Sequence, residues 1–96
     1  MMKKSEIMKA FREVVDRKHE LIKDCAKKAR DSAYDWERDS ERRIAKSFAR
    51  DVYGAADLMQ QMGFLDWEDV KALYDEARAM ADAVGNPNEE QMMDAC

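Results

Sequence analysis

The single histidine lies in the string His19-Glu20-Leu21-Ile22-Lys23, which begins like the zinc-protease motif H-E-x-x-H. That motif holds one metal between two imidazoles a helical turn apart, and Lys23 stands where the second imidazole belongs, so this zinc site cannot form. Asp16 and His19 have the i, i+3 spacing of the carboxylate and histidine pair in di-iron helical bundles, where further carboxylates must point into the same core. Asp16 falls on the polar side of its helix, away from Phe11, Val14 and Cys25. A surface histidine is expected, and a carboxylate/histidine metal-binding bundle is kept as an alternative that metal analysis decides.

Cys25 and Cys96 are 71 positions apart, a number and spacing unlike a disulfide framework and better suited to a reducing cytosol. Cys25 falls on an apolar stripe and reads as a small buried hydrophobe, because a nucleophile needs a positioned base and none is supplied. Gly54, Gly63 and Gly85, separated by 9 and 22 positions, cannot make a phosphate-binding loop. No catalytic residue, metal or cofactor is expected, and the chain reads as a non-enzyme.

Charge is the remaining chemical signal. Residues 1–31 hold ten Lys or Arg against six Asp or Glu, residues 32–65 five against six, and residues 66–96 two against nine. The front is net basic and the back strongly acidic, within a total of −4. The plainest consequence is that the first and last helices attract, which sets orientation more than stability because exposed pairs are worth ~0–1 kcal/mol each. The functional alternative is a protein partner with a basic, nucleic-acid-binding surface, met by Asp66, Glu68, Asp69, Asp75, Glu76 and Asp82 with Glu89, Glu90 and Asp94 beyond. Trp36, with Arg38 and Arg42 near it, is a candidate interface anchor, since Trp and Arg are favoured at binding hot spots; the simpler alternative is a tryptophan at the core edge.

Direct nucleic-acid binding has two possible carriers. Two helices joined through Gly63-Phe64-Leu65-Asp66 resemble a helix-turn-helix in outline, but from Asp66 to Val84 six acids face only Lys71 and Arg78. That sign is wrong for a groove lined with phosphate. The basic first helix interleaves Glu6, Glu13, Asp16, Glu20 and Asp24 with its cations, several at i, i+4, as on an ordinary solvated face. A DNA- or RNA-associated regulator using this helix is the second hypothesis.

The elements that must carry these groups are helices. Apolar residues make up 46% and charged residues 40% of 96 residues, and three Gly and one Pro are too few for the turns of an all-β fold. Ile7, Phe11, Val14, Leu21, Ile22, Cys25, Ala29, Ala33 and Trp36 recur with helical period; Ile44, Phe48, Val52, Ala55, Met59 and Met62 form a second set turned by roughly 100°. Arg38 to Arg43 contains no apolar residue, and Asp39 and Ser40 are good N-caps, so a break or kink is expected there, the alternative being one unbroken helix over 3–62 that offers its stripe to different neighbours and implies an oligomer. Ala45, Ala49, Val52, Ala56 and Gly63 line a second, small-residue side, so this helix can meet two neighbours.

Gly63 is placed as a left-handed cap followed by hydrophobic Phe64, Asp66 and Asp69 as a capping box, and Leu65 with Val70 as a staple. Trp67, Val70, Leu73, Tyr74, Ala77, Met80, Ala81 and Val84 make the last apolar face, which stops at Gly85. Helices are therefore expected near residues 4–37, 40–62 and 66–84, with a weakly ordered or short-helical tail over 86–96. The fold class is all-α: one domain, 1–96, with a long N-terminal helix beside an antiparallel helical hairpin. A first helix of ~50 Å is too long for two shorter helices to cover, which predicts a homodimer sharing a core.

Ser5, Glu6 and Lys9 interrupt any signal-peptide core after Met-Met-Lys-Lys, and the longest uncharged stretch, Leu58 to Leu65, is far short of the ~20 residues that span a bilayer. A soluble cytoplasmic protein without a membrane partner is expected. The leading functional expectation is a protein-interaction module that occupies a partner's surface, an acidic inhibitor of a nucleic-acid-handling protein. Small acidic proteins of phages and mobile elements, anti-CRISPR proteins among them, act this way, and the resemblance is one of size and charge alone.

Overall fold

A computed structural model describes residues 3–85 of the chain. It is all-helical, with α1 over Lys4–Arg30, α2 over Asp35–Gln61 and α3 over Trp67–Asp82. The expected tail over 86–96 lies outside the described residues.

The break between the first two helices falls at 31–34, earlier than expected, and Trp36, Asp39 and Ser40 all belong to α2. The apolar-free run Arg38 to Arg43 does not interrupt the helix, because its side chains serve helix ends instead. Arg38 donates from Nη1 to the Ser32 carbonyl at 3.1 Å and pairs with the Asp35 carboxylate, while Ser32 Oγ donates to the Glu37 carboxylate. These contacts fasten the turn. Charge agrees with it: Lys27, Lys28 and Arg30 close α1, and Asp35 and Glu37 open α2, each complementing the helix dipole it meets.

With the turn there, α1 and α2 have 27 residues each, ~40 Å at 1.5 Å per residue. They run antiparallel over the whole length. Lys18 Nζ at the middle of α1 lies 3.2 Å from Asp51 Oδ2 and 5.4 Å from the Phe48 ring centroid, and Lys4 Nζ lies 5.7 Å from the Phe64 centroid at the far end. A second copy is thus not required to cover α1, and the length reason for a shared core falls away.

The α2–α3 turn follows the sequence expectation closely. Gly63 has φ +83°, its N–H donates to the Gln60 carbonyl at 2.9 Å, and the Phe64 N–H donates to the Met59 carbonyl at 2.9 Å. This is a Schellman cap, satisfying carbonyls that a helix end leaves bare. Asp66 and Asp69 form the reciprocal capping box, with the Asp66 N–H donating to Asp69 Oδ2 at 3.1 Å. α3 then returns along α2, Tyr74 meeting Tyr53 edge to face at 5.1 Å.

The core is a single cluster in which α1 contributes Phe11, Val15, Ile22, Cys25 and Ala29. On α2 the buried residues are Ala45, Ala49 and Ala56 of the small-residue side with Met59 of the expected stripe and Val52, which belongs to both; Phe48 and Ala55 of the stripe are half-buried, whereas Ile44 and Met62 are exposed. α3 adds Val70, Ala77 and Ala81, with Val84 just beyond its end, and leaves Trp67 exposed. Val14 is likewise exposed, its place in the stripe taken by Val15. α1 and α3 each pack mainly on α2 and touch one another little. Alanines at the α2 contact explain the arrangement, since small side chains let one helix approach two others closely. The described helices include none long and apolar enough to cross a membrane.

Candidate functional site

The six acids proposed from the sequence fall into two groups. Asp66 and Asp69 are used in the capping box, and Asp82 stands 3.7 Å from both Lys46 Nζ and Arg78 Nε. Glu68, Asp75 and Glu76 are exposed and make no hydrogen bond or ion pair among the described residues. Glu68, Asp75 and Asp82 recur every seven residues, so they line one side of α3, with Glu76 next to them. Val70, Ala77 and Ala81 bury the opposite side, so the acidic stripe points outward because the apolar stripe points in.

Trp36, Arg38 and Arg42 do not form one anchor. Trp36 is 68% exposed rather than at the core edge, and stacks on exposed Tyr34 with centroids 6.2 Å apart and an interplanar angle of 21°. Arg38 is turned to Ser32 and Asp35. Arg42 donates from Nε to the Val84 carbonyl at 2.8 Å and lies 3.5 Å from Asp39. Both arginines are therefore helix-end braces. Gly85 rests against Arg38, which places this part of α2 at the C-terminal end of α3. Glu68, in the first turn of α3, is at the other end.

His19 is half-buried, not a surface residue. It flanks Val15 and Ile22 on α1, and its Nε2 is enclosed without a hydrogen-bond partner. Among the described residues no three His, Cys, Asp or Glu side chains converge to hold a metal. Cys25 is buried beside Glu41 of α2. Burial, then the hydrogen bond to the Glu41 carboxylate and its negative charge, push the thiol from 9.0 up to about 11, the behaviour of a packed and unreactive cysteine.

One cluster escapes sequence reasoning. Lys46 and Arg50 of α2 and Tyr74, Arg78 and Asp82 of α3 line a cleft of about 220 Å³ with Ala49 at its base. The i, i+4 spacing of Lys46 with Arg50 and of Tyr74 with Arg78 is legible in the chain, but their meeting depends on the register of α3 on α2.

Protein-family models, curated proteins and solved structures were each compared with the chain, and none matches. The reading of its function rests on the residues themselves.

Proposed function

We propose that this chain is a non-enzymatic protein-interaction module whose outward face of α3 occupies a basic surface on a partner, in the manner of an acidic inhibitor of a nucleic-acid-handling protein in a reducing cytoplasm. The observation that carries this reading is the exposed, internally unpaired set Glu68, Asp75 and Glu76 on the side of α3 opposite its buried stripe. A net-negative helix face, with Lys71 and Arg78 at its margin, raises the on-rate toward an oppositely charged groove and suppresses wrong partners. A groove built for phosphate is such a surface.

The test is capture from the native host by the unmodified chain and by a Glu68→Lys, Asp75→Lys, Glu76→Lys variant. A basic partner should be retained by the first alone, lose its own nucleic acid when bound, and be released by salt. Retention of the same partner by the triple variant overturns the assignment of the face.

The runner-up is direct nucleic-acid binding through α1, favoured by exposed Lys9, Arg12, Arg17, Lys23, Lys27 and Lys28. Their acidic neighbours Glu6, Glu13, Asp16, Glu20 and Asp24 are equally exposed and oppose phosphate there. Salt-steep retardation of DNA or RNA by the purified chain, removed by Lys23→Glu with Lys27→Glu, makes this the better reading. Homodimer formation is the remaining expectation. Leu58 on α2 and Met62 at its C-terminal cap, a turn apart and at least half exposed, are the apolar patch that supports it. Light scattering at micromolar concentration decides it, with Leu58→Glu giving a monomer.

A further inference from the structure

The cleft between α2 and α3 has a composition at odds with the surface around it. Three cations, Lys46, Arg50 and Arg78, share it with one carboxylate, Asp82, on a helix that is otherwise strongly acidic. Asp82 neutralises them only loosely, because its oxygens stand 3.7 Å from Lys46 and from Arg78, beyond ordinary hydrogen-bond length. Arg50 makes no ion pair or hydrogen bond among the described residues. Like charges one turn apart, as in Lys46 and Arg50, destabilise a helix, so packing alone gives no reason to gather them.

A second recess, of about 260 Å³, adjoins the first and shares Arg50 and Tyr74 with it, Tyr53 forming the rest of its wall. The two phenol rings meet edge to face at 66°, leaving a rigid aromatic surface beside the cationic one.

We propose that the two recesses together bind a phosphate monoester carrying a flat aromatic group, a nucleoside monophosphate in its simplest form. Three cationic side chains match a group with close to two negative charges and three strong acceptor oxygens. The Tyr53–Tyr74 wall takes the ring, and Arg50 lies between the parts as a guanidinium that can bridge them. Asp82 acts as the internal counter-anion that the phosphate displaces. The site meets the acidic stripe at Asp82 but uses none of Glu68, Asp75 and Glu76, so it stands whether or not those residues have a partner.

The experiment is a titration of the ¹⁵N-labelled full chain followed by backbone amide shifts, with adenosine 5′-monophosphate, inorganic phosphate and adenosine as probes. The monophosphate should saturate with shifts at Lys46, Arg50, Tyr74 and Arg78, inorganic phosphate should bind roughly tenfold or more weakly, and adenosine should not saturate. Arg50→Gln should weaken the monophosphate at least about tenfold, since a hydrogen bond to a charged group is lost. Asp82→Asn should tighten it, an outcome that a merely structural role for Asp82 does not produce. Lys23→Gln with Lys27→Gln on α1 should change nothing. Circular dichroism checks that each variant is folded. The proposal is overturned if the monophosphate does not saturate, if it and inorganic phosphate bind alike, or if the α1 variant weakens binding as much as Arg50→Gln.

Discussion

Arg42 donates its Nε–H to the carbonyl of Val84 at 2.8 Å, joining the second turn of α2 to the end of α3 across 42 positions of sequence. A guanidinium at a helix C-terminus satisfies a bare carbonyl and meets the negative end of the dipole. Arg42→Ala should therefore lower stability by about 1–3 kcal/mol in urea denaturation. Hydrogen exchange at Ala81 to Val84 should accelerate more than at Val70. An even acceleration along α3 would show that the bond is not a local brace.

The three glycines should respond to alanine in three different ways. Gly54 is exposed within α2 with open space around its missing Cβ, so Gly54→Ala should stabilise by roughly 0.5–1 kcal/mol. Gly63, at φ +83° but also in open space, carries only the backbone cost, and Gly63→Val should lose about 1 kcal/mol or more. At Gly85, φ is +77° and a Cβ would lie 3.2 Å from both Cβ and the carbonyl oxygen of Arg38, so Gly85→Ala should cost more than Gly63→Ala. Thermal melts of the three alanine variants give the order.

Ala56, 0% exposed on α2, sets how closely α2 packs on its neighbours. Ala56→Leu adds apolar area yet should destabilise by about 1–3 kcal/mol, because a close-packed contact has no volume for it. A stability gain would show that the helices have room to move apart.

The Cys25 thiol has a folded-state pKa of about 11 against an ordinary 9.0, so the fold prefers the protonated form. Its contribution to stability is whole below pH 9 and is lost as the pH rises toward 11. In a Cys96→Ser background, stability should fall more steeply through that window than in the same background with Cys25→Ala. Alkylation of Cys25 at pH 8 should be slow until urea unfolds the chain. Rapid alkylation of the native protein would contradict its burial.

Much of the local structure was written in the chain. The Gly63 cap, the Asp66–Asp69 box and the buried face of α3 around Val70, Ala77 and Ala81 follow from backbone preference and the 3.6-residue period, which neighbours in sequence suffice to set. The outward direction of Glu68, Asp75 and Glu76 follows with them. Three things waited for the tertiary structure. The first turn falls at 31–34 rather than near Asp39 and Ser40; Arg38 reaches back locally to the Ser32 carbonyl, while Arg42 braces the Val84 carbonyl, which only packing brings to it. The buried side of α2 joins its alanines, Ala45, Ala49 and Ala56, to Val52 and Met59 and leaves Ile44 outside, since two helices share that side and small residues admit both. The cationic cleft joins residues up to 36 positions apart, from Lys46 to Asp82. Periodicity orients a side chain about its own helix axis, but the register between helices comes from side chains interlocking across their contact, and no single helix contains that information.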